Sequence, residues 1–375
     1  MRKTATIAAV STLLALSLAA CGERDEDNEE TGADNTESSA PAEPGSSDSA
    51  SESASDTAAP TGDQYPDFKA CMVSDSGGFD DKSFNQTSLK GQTDAADQFG
   101  VQTAQVESNS DTEYGDNIDQ LIGEGCNEIT TVGFLLGDAT EAAAKKNKDV
   151  DFAIVDFAYE KPAPNLKGLV FATDQPSFLA GYLAAAQSES GIVGTFGGLN
   201  IPTVTVFMEG FRLGVEQYNE DTGEEVQLLG WDGSEGAFTE DFEDKGKGQS
   251  VGADLIQQGA DIIFPVAGPA GLGGLQAAKD GGALGIWVDT DGYESTEYGD
   301  ILLTSVVKGL DVAVTEAIKE SAEGTFSNEL YSGTLENDGV GLAPFHDFDG
   351  EIDQETKDRL DELTQQIIAG EVTTS

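Results

Sequence analysis

Residues Cys71–Gly91 read CMVSDSGGFDDKSFNQTSLKG. An apolar stretch ends at the polar pair Ser74 and Asp75, two glycines follow, and Ser83 with Gln86 has the spacing of a capping box. This is strand, glycine turn and helix start, the opening of a parallel βα unit. The register puts Phe84 and Asn85 in the first helical turn, beside Asp75 at the carboxyl end of the strand. A ring there can stack on a flat heterocycle, an asparagine amide offers donor and acceptor together, and a carboxylate can take two hydroxyl donors. A phenylalanine at a helix start is more often core than ligand shelf. Its setting between Lys82 and Asn85 weakens that alternative.

The same alternation continues outward. Strand candidates are ACMVSD, VQTAQVES, NEITTVGF, DFAIVDF, LVFATD, GIVGTFGG, EVQLLGWDG, ADIIFPVAG, LGIWVDTD and DILLTSVVK, most of them nearly continuous apolar runs. Parallel strands buried on both faces require such runs. Between them lie segments with apolar residues three and four apart, such as SFLAGYLAAAQSES, VFMEGFRLGVEQYN and LDVAVTEAIKESA. The fold class is therefore α/β with doubly wound parallel sheets, and ten units suggest two lobes rather than one. About 310 residues beyond the N-terminal region also exceed what a single core usually supports. The strands repeatedly end in a polar residue or glycine: Asp75, Gly133, Asp156, Asp174, Asp232, Gly268, Asp289 and Lys308. Ligands of open parallel sheets bind beyond those carboxyl ends. Turn and cap chemistry explains about half of the positions equally well, Asp174 and Asp232 first among them.

The N-terminal region reads differently. Arg2 and Lys3, an apolar stretch from Ala5 to Ala20 and the tetrad LAAC ending at Cys21 form a secretory signal over residues 1–20, too short to span a bilayer. The small residues before Cys21 resemble a bacterial lipobox, whose cysteine carries the lipid after cleavage. Residues 21–64 are Ser, Ala, Glu, Asp, Pro and Gly almost throughout, an acidic tether expected to be disordered. Such a coil spans roughly 35 Å.

The formal charge is −51, and about −41 of it falls beyond residue 64. A surface of that sign repels nucleic acid and anionic lipid, which excludes phosphate-backbone binding as a main activity. It fits adaptation to molar salt or a merely acidic exported protein equally well. Catalytic constellations are hard to assemble: the chain has one histidine, His346, with no nucleophile near it in sequence. No HExxH, GxSxG or P-loop pattern occurs, GPAGLGG at Gly268–Gly274 lacks the third glycine of a dinucleotide fingerprint, and DTDGYESTEYGD fails calcium-loop spacing. No enzyme, metal or cofactor is expected. Cys71 opens the first strand and Cys126 precedes the third, its neighbour in the usual winding order, so the two could be bridged or remain buried thiols.

The blocks DSGGFDDKSFNQ, ITTVGFLLGDA, FAIVDF, SFLAGYLAA, VGTFGG, FMEGFRLGV, DLIQQGADIIFPVAG and IWVDTD resemble those of the basic membrane protein family. The likeness runs from Cys71 to about Phe345. Members are substrate-binding lipoproteins of ABC importers, with a type I periplasmic fold of two lobes joined by a hinge, and the resemblance implies a purine nucleoside as the ligand. The resemblance implies an N-terminal lobe of residues 65–172 plus 292–325 and a C-terminal lobe of 173–291 plus 326–375. It implies that Asp75 holds the ligand, Phe84 stacks on the base and Asn85 bonds it. Asp156 would face the ligand from the same lobe and Phe238 would close the sandwich from the other, with Phe242 competing for that place. Gly268 would approach through its backbone, and Asp289, with Asp291 competing, and Lys308 would complete the polar ring. The partners implied are a purine nucleoside, ABC permease subunits and, through Cys21, the extracellular face of the membrane; the receptor itself would be a monomer. A sugar receptor of the same fold is the alternative, and a secreted hydrolase the more distant one.

Overall fold

Long apolar strands set the architecture. The computed structural model describes residues 63–375; the signal, Cys21 and nearly all of the tether lie outside the described residues. Strands β1 (Lys69–Ser74), β2 (Gln102–Val106), β3 (Glu128–Val132), β4 (Asp151–Val155) and β5 (Leu166–Phe171) belong to one sheet. Strands β6 (Ile192–Gly197), β7 (Gln227–Leu229), β8 (Ile262–Val266), β9 (Leu284–Asp289) and β10 (Leu302–Lys308) belong to a second. Two short strands complete them: β11 (Tyr331–Gly333) joins the first and β12 (Val340–Leu342) the second. The orders, β2-β1-β3-β4-β5-β11 and β7-β6-β8-β9-β10-β12, are the same pattern twice. All pairings are parallel except β10 with β12. Every residue of β3 and β8 is buried, as two helix-covered faces demand.

The helices are α1 (Phe84–Phe99), α2 (Tyr114–Gly123), α3 (Gly137–Lys146), α4 (Asp174–Gln187), α5 (Pro202–Thr222), α6 (Lys245–Gln257), α7 (Gly268–Gly281), α8 (Gly292–Ser295), α9 (Leu310–Ala322) and α10 (Gln354–Ile368). Helices α4 and α5 touch backbone to backbone because glycines sit at the crossing. A Cβ on Gly214 would come within 1.9 Å of the Phe178 carbonyl, and one on Gly181 within 2.0 Å of the Phe211 carbonyl.

The chain crosses between lobes after β5, after β10 and between β11 and β12. That corrects the expected boundaries. Strand β10, placed by the resemblance in the 292–325 portion of the N-terminal lobe, pairs with β9 in the second sheet, and β11, expected with 326–375, pairs with β5 in the first. The physical reason is burial on both sides of each crossing. Val306 lies in register with Val288, whereas Val314 and Ile318 of α9 belong to the first lobe's core with Met72 and Ala95.

Cys71 and Cys126 are joined by a disulfide with Cα atoms 6.0 Å apart, closing a loop of 55 residues between neighbouring strands. On the chain-entropy model a loop of that length stabilises the fold by about 4 kcal/mol.

Candidate functional site

Strand β1 ends at the sheet's carboxyl edge, and Asp75, the next residue, takes the backbone there with its N–H donating to the Val132 carbonyl at 3.0 Å. Asp75 fits because β3 is followed by Gly133 at φ 121°: a Cβ on Gly133 would stand 2.1 Å from Asp75 Oδ2. The start of α1 is held differently from the capping box read in the sequence. Asp81 accepts from the backbone N–H of Ser83 at 3.0 Å, Asn85 at 2.7 Å and Gln86 at 3.0 Å. Ser83 makes no side-chain cap; its hydroxyl donates instead to Asp289 Oδ2 of the other lobe at 2.6 Å. Lys82, at φ 61°, turns its carbonyl to the same lobe, accepting from Trp287 Nε1 at 3.2 Å and Ser295 Oγ at 3.3 Å. The loop before α1 is therefore also an interlobe contact.

Two aspartates end corresponding strands. Asp156 follows β4 at φ 64° and Asp289 ends β9 at φ 69°, the left-handed region that few non-glycine residues occupy. Both meet Lys308 at the end of β10, whose Nζ lies 2.7 Å from Asp156 Oδ2 and 3.4 Å from Asp289 Oδ1. The ammonium also stands 4.6 Å from the centre of the Phe84 ring and 5.4 Å from that of Phe207, within cation–π range. Burial alone would lower the Lys308 pKa, but Asp156 and Asp289 outweigh it and hold the ammonium charged. Among the described residues Asp75 has no ion-pair partner, unlike Asp156 and Asp289. Burial pushes its carboxyl up to about 8, with Asp81 and Asp156 adding to the shift and the Asn85 amide opposing it. Burial raises Asp81 to about 6 against the three backbone donors that favour its ionised form.

One cavity, with about 80 Å³ of water-accessible space, gathers these groups. That is room for several waters at roughly 10–15 Å³ each. From the first lobe it is lined by Asp75, Asp81, Phe84, Asn85, Asp156 and the Gly133–Leu135 corner. From the second come Ile201, Val204, Phe207, Phe242, Val266 and Gly268, with Asp289 and Lys308 at the seam. Seven of the eight residues named from the sequence thus surround one space.

Phe238 does not. It packs edge-on to Trp231 at 6.3 Å and its backbone bridges to Gly197, which turns the ring into the second lobe's core. Phe242 takes the cavity position. Asp291 is likewise elsewhere, receiving the Tyr293 N–H at 3.1 Å and pairing with His346 Nε2 at 2.7 Å. Sequence reasoning missed Asp81, Phe207 and the Phe134–Leu135 corner. Position signals only the corner, which follows β3 directly; Asp81 lies in the loop between β1 and α1, and Phe207 lies within α5, so neither had a signal of that kind. Among the described residues no cluster of His, Cys, Asp and Glu could hold a metal ion.

Chemically the cavity has apolar walls on both sides, four largely buried carboxylates and a single cation already paired with two of them. Two doubly wound lobes with such a cavity at their facing strand ends define a two-lobed solute-binding protein. An ABC transporter system solute-binding protein from Aeropyrum pernix K1 has a similar structure, with a TM-score of 0.74 at 25% identity over 82% of this chain and 92% of that one. Residues 68–374 match the family of PnrA-like ABC transporter substrate-binding proteins, Bmp, and the chain belongs to that family. Basic membrane protein A of Borreliella afzelii is 30% identical over 312 residues, covering 81% of this chain and 90% of that protein. The ABC transporter nucleoside-binding protein BmpA of Lactococcus lactis subsp. cremoris is 27% identical over 331 residues, covering 82% and 89%. The family is one of substrate-binding proteins, not enzymes, so this chain binds a solute without transforming it. Among the described residues no helix is long and apolar enough to cross a membrane.

Proposed function

We propose that this protein is the lipid-anchored, extracellular receptor of an ABC importer and captures purine nucleosides between its lobes. The observation that carries the reading is the composition of the cavity: Phe84 and Phe242 reach it from opposite lobes, and Asp75, Asp156 and Asp289 supply acceptors beside them. A purine is flat and stacks on aromatic faces, each stack contributing roughly 1–3 kcal/mol. A ribose is rich in hydroxyl donors, which carboxylates accept in pairs. A phosphate would meet the same carboxylates as like charge, so the nucleoside and not the nucleotide is the ligand. The nucleoside-binding name of the Lactococcus lactis relative points the same way. Cys21 would carry the lipid, residues 22–62 would let the lobes stand off the membrane, and a permease would take the solute from the closed form.

A thermal-shift series tests the reading. Ligand at a hundred times its Kd adds about 2.7 kcal/mol to stability. Inosine, guanosine or adenosine should raise the melting temperature and free ribose should not. A response to ribose or glucose alone would replace the nucleoside with a sugar.

A further inference from the structure

The two residues before Phe84 reach the other lobe rather than the cavity. Ser83 stands where a hydroxyl ordinarily caps a helix, but Asp81 already takes the backbone N–H groups of Asn85 and Gln86. The Ser83 hydroxyl is left to donate across the lobes to Asp289 Oδ2 at 2.6 Å, with both residues buried. Lys82 is held at φ 61°, a conformation that disfavours a side chain, and this turn aims its carbonyl at Trp287 Nε1, 3.2 Å away, and at Ser295 Oγ, 3.3 Å away. Trp287 is fully buried among Leu272, Leu275, Tyr298 and Leu302, so its N–H points in one direction only. At the far end of the same loop the Gly77 N–H donates to Glu243 Oε1 at 3.2 Å. Lys82, Ser83, Trp287 and Ser295 are not part of the cavity wall. These bonds therefore join lobe to lobe, and parting the lobes would leave a buried indole donor and a carboxylate oxygen without partners, which is unfavourable.

We propose that Lys82 and Ser83 are positioning residues that form a latch: a solute seated against the first turn of α1 sets them on Trp287 and Asp289, and the latch governs how fast the solute leaves. The chain itself supplies the coupling, because the latch and the cavity's Phe84 are consecutive residues. A solute shifts a receptor toward closure only as far as it favours the closed form. Bonds made by the closed form alone, and not to the solute, add to that preference without distinguishing one solute from another. The latch therefore lengthens residence and leaves selectivity unchanged. It holds for whichever solute the cavity takes; only the release measurement below rests on the nucleoside reading.

The chain has two tryptophans, so the full chain labelled at the indole nitrogen gives two signals in nuclear magnetic resonance. Trp231, whose Nε1 donates to Glu209 Oε2 at 2.8 Å inside the second lobe, is the internal control. In the ligand-free protein Ser83→Ala should speed solvent exchange of the Trp287 indole N–H at least about tenfold and leave that of Trp231 unchanged. In stopped-flow measurements with guanosine and inosine it should speed release at least about tenfold, with association within about twofold and the ratio of the two dissociation constants kept. Equal Trp287 exchange in the two proteins, or an unaltered release rate, would overturn the latch. Should neither nucleoside bind, the nucleoside reading falls while the exchange measurement still decides the latch. Where Ser83→Ala melts too low to measure, Ser295→Ala, which removes a half-buried donor to the Lys82 carbonyl, should speed both processes at least about twofold. No change there would overturn the latch equally.

Discussion

The two sheets repeat one strand order, and β4 and β9 each end in an aspartate at positive φ, yet they meet the cavity with different chemistry. The first lobe brings Asp75, Asp81, Asn85 and Asp156 around Phe84; the second brings Ile201, Val204, Phe207, Phe242 and Val266. On the proposed reading the first half supplies most of the hydrogen-bonding groups, joined by Asp289 and Lys308 of the second, and the apolar wall of the second keeps water from them. Neither suffices alone, because a hydrogen bond gains strength only where water is excluded. Lys308 sits where the two halves join and, among the described residues, is where an acid of each meets the same charge.

Removing that charge should therefore have the largest effect. In Lys308→Met, Asp156 and Asp289 face each other uncompensated, and breaking a buried pair in this way costs about 3–5 kcal/mol. We expect a melting temperature well below that of the unsubstituted protein, with nucleoside binding lost at neutral pH. Unchanged stability in thermal denaturation would mean that the lobes do not depend on the shared ion pair.

The next contrast lies within the second lobe. Phe242→Ala removes a wall of the cavity and should weaken nucleoside binding by roughly 1–3 kcal/mol, or about 5- to 150-fold in Kd, with little change in melting. Phe238→Ala, four residues away, should do the reverse, lowering stability by about 1–3 kcal/mol while leaving Kd within about twofold. Titrations that gave the opposite pattern would return Phe238 to the site.

A pH-dependent contrast separates two buried acids of the first lobe. Asp75 at the cavity and Glu128, fully buried at the amino end of β3, are both raised to about 8, burial being the largest cause in each. An unfolded carboxyl loses its proton near pH 4, whereas these keep theirs to about pH 8. The folded state thus binds more protons across that window, and ligand-free stability should fall as pH rises through it. Asp75→Asn and Glu128→Gln should each flatten that fall in melting curves between pH 5 and 8. Only Asp75→Asn should also weaken nucleoside binding.

What the sequence disclosed follows the length of the signal. The ten strand candidates are β1 to β10: the central strands are buried on both faces and announce themselves as apolar runs, whereas β2 and β7 are exposed or half-buried edge strands with a weaker signal. Strands β11 and β12, three residues each, carry no periodicity, and the lobe boundaries were misplaced because they and β10 cross where no composition changes. Asp75, Asp156, Asp289 and Lys308 were legible as polar ends of apolar strands. Choosing Phe242 over Phe238 was not, since in the turn GAFTEDFED only the bridge to Gly197 decides which ring faces inward. The capping role of Asp81 was hidden by Ser83, whose hydroxyl spans the lobes instead.

The central claim is that one acceptor-rich, aromatic-walled cavity takes an uncharged nucleoside. Titrating the protein with guanosine and with guanosine 5′-monophosphate tests it most directly. The account predicts saturable binding of guanosine with a Kd near micromolar, about −8 kcal/mol, and binding of the monophosphate at least about a hundredfold weaker, because like charge beside a largely buried carboxylate is unfavourable. Equal or tighter binding of the monophosphate, or no heat with guanosine at any concentration, would contradict it.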